Sequence, residues 1–247
     1  MKQIISAQNP EIIAVAKLHT SKERAAQNKF TAEGIRTIAT LIEGGYTPDV
    51  VYCTQELANE AQKIVAATII CLVNSAIINK ISQSSTPSGI VAVFPIPSKL
   101  PWERLSHGLV LTQISDPGNM GTLIRSAAAM GVKSVVIIEG TDPWSHKVIQ
   151  STAGTIANVK IFQTNWPTLL KNKKNLMLCA LVVAGGKKPE QIETKKCLLI
   201  VGSEAHGLPH EWIAECDEKV TIAMPGNTES LNAGVAGSIA LYLTFVQ

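Results

Sequence analysis

The chain has 247 residues, 46% of them hydrophobic and 17% charged, with a formal net charge of +3 at pH 7. That length suits one large domain or two modest ones, and the balance excludes a disordered chain. Eight Lys/Arg against seven Asp/Glu precede residue 99, and fourteen against twelve follow, which excludes a polybasic nucleic-acid binder. Any RNA contact must then use local patches, the lysine-rich stretch 171–196 being the clearest candidate, with a solvated loop face as its plainer reading. Cys53, Cys71, Cys179, Cys197 and Cys216 include no CxxC pair and sit mostly in apolar runs, so they read as reduced, buried small hydrophobes. The five histidines show no metal-ligand spacing with them. No signal-type leader and no membrane-length apolar run is visible, and the expectation is a cytoplasmic protein with no metal and no membrane partner.

In chain order, the first part reads as a small α/β unit. After Asn9-Pro10, the apolar residues Ile12, Ile13, Val15 and Ala16 gather on one side of a helix. Residues 34–42 (GIRTIATLI) predict a helix stopped at Gly44-Gly45. A strand over 50–53, a helix over 56–66, a strand over 68–73, a short helix over 75–81 and a strand over 89–94 follow. The segment 95–101 (PIPSKLP) holds three prolines in seven residues and is the predicted linker between domains 1–98 and 99–247.

The second part alternates again: strand 109–114, helix 120–130 stopped by Gly131, strand 134–138, helix 144–152 and strand 159–162. Residues 176–183 and 197–201 are near-continuous apolar runs, as expected of parallel strands covered on both faces. A short strand over 220–223 and a long helix over 230–245 complete an α/β pattern.

Three small, polar loops follow predicted strands, where open parallel sheets bind ligands. The first runs Ser115-Asp116-Pro117-Gly118-Asn119-Met120-Gly121, with Arg125 in the early turns of the next helix. Alone it is a turn; the forked cation beside it can engage a phosphate. The second, Gly202-Ser203-Glu204-Ala205-His206-Gly207, starts with a glycine that lets a ligand approach the backbone. The third runs from Met224 through Asn227, Thr228 and Ser230 to Leu231 and Asn232. Ser230 is a candidate N-cap there, whereas Asn232 has less structural reason to be present. No GxGxxG, P-loop, metal triad or Ser–His–Asp set is defensible.

Taken together, DPGNMGTLIRSAAAMG, IVGSEAHGLP and IAMPGNTESLNAGVA resemble, in order, the three motifs of the SpoU (TrmH-type) RNA 2′-O-ribose methyltransferases of the SPOUT superfamily. The likeness is tight over 107–247. More loosely, EGIRTIATLIEGG, VVYCT and STPSGIVAVF look like that family's ribosomal-protein-like N-terminal RNA-binding domain. The resemblance implies a C-terminal parallel sheet with a deep trefoil knot, S-adenosylmethionine as cofactor, RNA (rRNA or tRNA, rRNA slightly favoured) as substrate, and a homodimer. By position, it implies cofactor contacts at Gly202, Ile222 and Leu231. It implies catalytic or substrate contacts at Asn119, Arg125, Glu204, Ser230 and Asn232. The chain departs from the pattern at Ala233-Gly234, where the family usually shows Val-Ser, and at Ser88, where a glutamine is common. The alternatives are a non-catalytic RNA-binding protein that keeps the fold, a base methyltransferase, and a small-molecule enzyme on an open sheet. The five polar positions argue against the first, Asn119 and Arg125 with SLN against the second, and cofactor binding discriminates the third.

Overall fold

The computed structural model describes residues 1–226 and 229–246. The chain divides into two compact units: Met1–Ser98 with Asp142–Ala157, and Lys99–Thr141 with the chain from Asn158 onward.

The first unit is built on a five-stranded sheet of β1 (Lys2–Ile4), β2 (Lys29–Glu33), β3 (Val50–Cys53), β4 (Ile70–Val73) and β5 (Ile90–Pro95). Its order is β1-β4-β3-β5-β2, with β5 antiparallel to both neighbours and the other pairs parallel. The helices α1 (Pro10–Lys17), α2 (Ser21–Gln27), α3 (Ile35–Glu43), α4 (Ala58–Ile64) and α5 (Ser75–Ile81) connect the strands. Their starts are chemically marked. The Asn9 side chain accepts the Glu11 N–H at 2.8 Å ahead of a proline, and Asn74 accepts the Ile77 N–H at 3.0 Å. Ile12, Tyr52, Ile77, Ile78, Val91 and Val93 form the core on one face.

The chain then enters the second unit with β6 (Gly108–Thr112), α6 (Pro117–Ala129) and β7 (Ser134–Ile138), and returns to the first through α7 (His146–Thr152). This returning segment, read from sequence as part of the second domain, is tied firmly into the first unit. Arg24, 5% exposed, pairs with Asp142 at 2.7 Å and donates to the Leu18 and His19 carbonyls at 2.8 and 3.1 Å. Trp144 packs on Phe30 with centroids 5.2 Å apart. Gly154 (φ +85°) lies so close to α3 that a Cβ there would meet the Thr37 carbonyl oxygen at 2.6 Å.

The chain resumes the second unit with β8 (Lys160–Thr164), α8 (Trp166–Asn172), β9 (Met177–Leu181), β10 (Cys197–Val201), α9 (His210–Ala214), β11 (Glu218–Val220) and α10 (Ala233–Phe245). The six strands run in order β11-β9-β10-β6-β7-β8, every pair parallel. All five residues of β6, β7 and β10 are buried. Each Leu, Ile or Val so covered contributes about 1.5–3 kcal/mol of burial. The strand order matters for function: β10 inserts between β9 and β6, making a switch point whose carboxyl edge opens a crevice.

Two sequence expectations are corrected. The final helix starts at Ala233, and its N-cap is Asn232, whose Oδ1 accepts the Val235 N–H at 3.2 Å; Ser230 lies before the cap. The last strand is Glu218–Val220, not 220–223. The sequence reading also missed β1, α2, β2, α8 and α9. Among the described residues no helix is long and apolar enough to cross a membrane, and no cluster could hold a metal. All five cysteines are free, four of them buried.

Candidate active site

A cavity of about 600 Å³ opens at the carboxyl edge of β9 and β10. Three parts of the chain wall it: 181–183 at the end of β9, 201–207 at the end of β10, and Ile222 and Met224 with residues 230–233 and Ala236 at the start of α10. Gly202, Ile222 and Leu231 all line it, and so do Glu204, Ser230 and Asn232. The first and third walls are stitched together. Val182 N–H donates to the Val220 carbonyl at 2.8 Å, Thr221 Oγ1 donates to the Val182 carbonyl at 3.1 Å, and Gly186 N–H donates back to Thr221 Oγ1 at 2.9 Å. The second wall is a tight turn closed by Ser203 and Gly207, whose backbone groups exchange two hydrogen bonds of 3.0 Å. That turn folds back on Gly202, where a Cβ would sit 2.3 Å from the Gly207 carbonyl carbon and 2.6 Å from the Leu208 nitrogen. No other residue leaves room for the backbone there.

Glu204 joins this turn to the loop after β6. Its Oε2 accepts from Ser115 N–H at 3.3 Å and Ser115 Oγ at 3.1 Å, and its Oε1 accepts from Asp116 N–H at 3.3 Å and from Asn119 Nδ2 at 2.9 Å. Partial burial pushes the carboxyl up, but the bonds from Asn119 and from the backbone N–H groups of Glu204, Ser115 and Asp116 outweigh it and hold it below the usual carboxylate value. The clamp therefore keeps its charge at neutral pH. Asn119 is held twice, since its N–H donates to Asp116 Oδ1 at 2.7 Å, the N-cap bond of α6. Its side-chain oxygen reaches toward the start of α10: a Cβ at Gly234 would lie 2.9 Å from Asn119 Oδ1 and 3.1 Å from Asn232 Oδ1. The glycine that departs from the family pattern thus leaves room for the Asn119 and Asn232 side chains beside the first turn of α10.

Arg125 stands apart. It is exposed on α6, does not line the cavity, and has no side-chain partner among the described residues. Of the lysine-rich stretch 171–196, Lys173, Lys187 and Lys196 are paired with Asp217, Glu218 and Glu193, which neutralises part of that patch. Asn227 and Thr228, in the third loop motif, lie outside the described residues.

The sequence model of the SpoU rRNA Methylase family matches residues 106–242, more than half of the chain. The chain belongs to the SpoU rRNA methylase family. A second match, to the MRM3-like substrate binding domain, covers residues 9–92. Relatives spread over the whole length. The 23S rRNA (guanosine(2553)-2′-O)-methyltransferase RlmP of Bacillus subtilis is 30% identical, over 98% of each chain. The 23S rRNA (uridine(2479)-2′-O)-methyltransferase of Streptomyces viridochromogenes is 25% identical over 92% of this chain and 86% of its own. Among solved structures, the AdoMet-bound rRNA methyltransferase of Sinorhizobium meliloti superposes with a TM-score of 0.86 at 25% identity, covering 98% of this chain and 97% of that one.

At this cavity, sequence reasoning missed Leu181, Val182 and Val183, which line it. Their signal was present: the run 176–183 outlasts β9, and the residues beyond a buried parallel strand's carboxyl end are where ligands sit. It also missed Ser115 and Asp116 as partners of Glu204, contacts 89 and 88 residues apart in sequence.

Proposed function

We propose that the chain transfers a methyl group from S-adenosylmethionine to a ribose 2′-hydroxyl of ribosomal RNA. The observation that carries this reading is the cavity at the switch point, where Gly202, Ile222 and Leu231 meet Glu204, Ser230 and Asn232. Its volume of about 600 Å³ falls within the range of roughly 300–1,000 Å³ usual for cofactor-sized ligands. Ile222 and Leu231 offer apolar contact for an adenine, and the bare backbone at Gly202 admits close approach. Bound there, S-adenosylmethionine supplies a methyl group made electrophilic by its sulfonium.

The protein's part is orientation and charge. A 2′-hydroxyl is a poor nucleophile until its proton is polarised and the oxygen held in line. Asn119, Ser230 and Asn232 supply polar groups for that purpose. The Asn232 Oδ1 is committed to capping α10, which leaves its amide N–H groups to donate. Glu204 keeps the 115–119 loop closed against the cavity. A guanidinium with a pKa above about 12 resists deprotonation, so Arg125 acts by holding phosphate and stabilising charge. Ribosomal RNA is favoured as substrate because two relatives matched over most of their length are named for 23S rRNA.

The reading includes a homodimer. On α10, Val235, Ile239 and Tyr242 are exposed at a spacing that puts them on one face, and Val246 just past the helix end is exposed as well. Ser126 Oγ lies 2.8 Å from Ser238 Oγ, so α6 packs along α10, and the neighbouring Arg125 is exposed and outside its own chain's cavity. A two-fold pairing along α10 would offer Arg125 to the partner's cavity. Tyr242→Asp should then halve the mass measured by light scattering and abolish methyl transfer, although Tyr242 does not line the cavity; an unchanged mass would refute this pairing. The threaded knot belongs to the same reading. Its support is the crowding of α10, where a Cβ at Gly237 would meet Leu123 Cδ2 at 2.4 Å and Val201 Cγ2 at 3.1 Å. Free, buried thiols support a cytoplasmic location.

Transfer of labelled methyl from S-adenosylmethionine to RNA from a strain lacking the protein tests the activity. Label recovered as a 2′-O-methylnucleoside in rRNA is expected. Absence of both label and cofactor binding would leave an RNA-binding scaffold instead.

A further inference from the structure

The first unit contains a second cavity, of about 360 Å³, where β2 runs into α3. Leu57 and Ile90 give it apolar walls, while Arg36 and the loop residues Ser84, Thr86 and Ser88 give it polar ones. That loop, residues 82–89 between α5 and β5, is held by Glu33, which is 3% exposed. Glu33 Oε2 accepts from Ser82 Oγ at 2.6 Å and Ser84 Oγ at 3.1 Å, and Oε1 accepts from Ser88 N–H at 2.8 Å. The Glu33 carbonyl accepts from Gln150 Nε2 at 2.8 Å, so the returning segment braces the same corner. Gly89 ends the loop at φ +81°, and a Cβ there would press to 2.9 Å from Cδ1 of the lining residue Leu57. A buried carboxylate held by neutral donors is costly, and here it fixes the shape of an otherwise irregular loop. The Arg36 guanidinium is exposed and has no partner among the described residues.

We propose that this cavity receives one unstacked nucleotide of the substrate RNA, its base against Leu57 and Ile90 beside the hydroxyl-bearing loop and its phosphate on Arg36. The inference rests on the RNA methyl-transfer reading and names where that substrate is gripped away from the reacting ribose. Single-stranded RNA is recognised by splaying bases into pockets with hydroxyl or amide groups at their edges. A volume of about 360 Å³ suits one such group, near the lower end of the roughly 300–1,000 Å³ usual for ligand sites. An unpaired guanidinium at the mouth suits the phosphate that must stay in water.

The test uses the full chain and rRNA purified from a strain lacking it, with filter binding and methyl transfer read in parallel. Arg36→Ala should raise the RNA KM and Kd about tenfold, leave kcat within about twofold, and lower the salt slope of binding by about one. Thr86→Val should raise KM without altering the salt slope, because its hydroxyl faces a base. Both variants matching the wild type in Kd and salt slope would overturn the cavity assignment. Filter binding needs no chemistry, so the two readings fail separately. Arg36-dependent binding without methyl transfer would uphold the cavity and sink the activity, whereas methyl transfer with both variants unchanged would do the reverse.

Discussion

Arg125→Ala is expected to lower methyl transfer about 10²–10³-fold while leaving S-adenosylmethionine affinity within about twofold. The geometry separates those two effects. Arg125 does not line the cavity proposed for the cofactor, and its exposed side chain has no partner among the described residues whose loss would unsettle the fold. Thermal stability should therefore not move. Arg125→Lys keeps the charge but loses the fork, so it should recover only part of the rate. Equilibrium dialysis with labelled cofactor, beside single-turnover transfer, reads both quantities. A large loss of cofactor affinity in Arg125→Ala would refute the division of labour. The proposed dimer adds a sharper test. Mixing Arg125→Ala with a cofactor-dead variant and letting subunits exchange should restore about a quarter of wild-type sites if Arg125 serves its partner's cavity. No recovery on mixing would place its action within its own chain.

Gly202→Ala supplies that cofactor-dead variant, and it is the second large effect. A methyl group at this position would meet the backbone of Gly207 and Leu208 at 2.3–2.6 Å, a clash with main chain that no side-chain rotation relieves. The turn 203–207 must move, and with it both a cavity wall and Glu204. Affinity for S-adenosylmethionine should fall at least about 100-fold, roughly 3 kcal/mol. Overpacking of about 1–3 kcal/mol should lower Tm by several degrees. Calorimetric titration and a melting scan check both. Unchanged cofactor affinity would move the cofactor site elsewhere.

The two sheets were unequally legible in the sequence. β6, β7 and β10 announce themselves because strands covered on both faces need continuous apolar runs, and LVL, SVVII and CLLIV have little other use. β2 (KFTAE) was invisible because two of its buried positions are Thr31 and Glu33, polar residues whose cost is met by partners unreadable from a string. The site shows the same division. Gly202, Glu204 and Asn119 are conspicuous as small polar residues after strands, but the fact that Glu204 holds Asn119 is a matter of tertiary geometry across 85 positions. Asn232 illustrates the opposite error. It seemed to lack a structural purpose, yet it caps α10, because the helix begins three residues later than the hydrophobic pattern suggests.

The returning segment Asp142–Ala157 has a consequence for how this protein can be taken apart. A domain joined by one linker can be exchanged between enzymes by a single recombination event, so substrate preference can be shuffled as a cassette. Here a crossover at residue 98 would separate Phe30 from Trp144, Arg24 from Asp142, and Glu33 from Gln150. A graft of the first unit must carry two pieces of chain or recreate those three contacts with foreign residues. The two units are therefore bound to be inherited together, and new RNA targets should arise by substitution around Arg36 and the 82–89 loop rather than by transplantation.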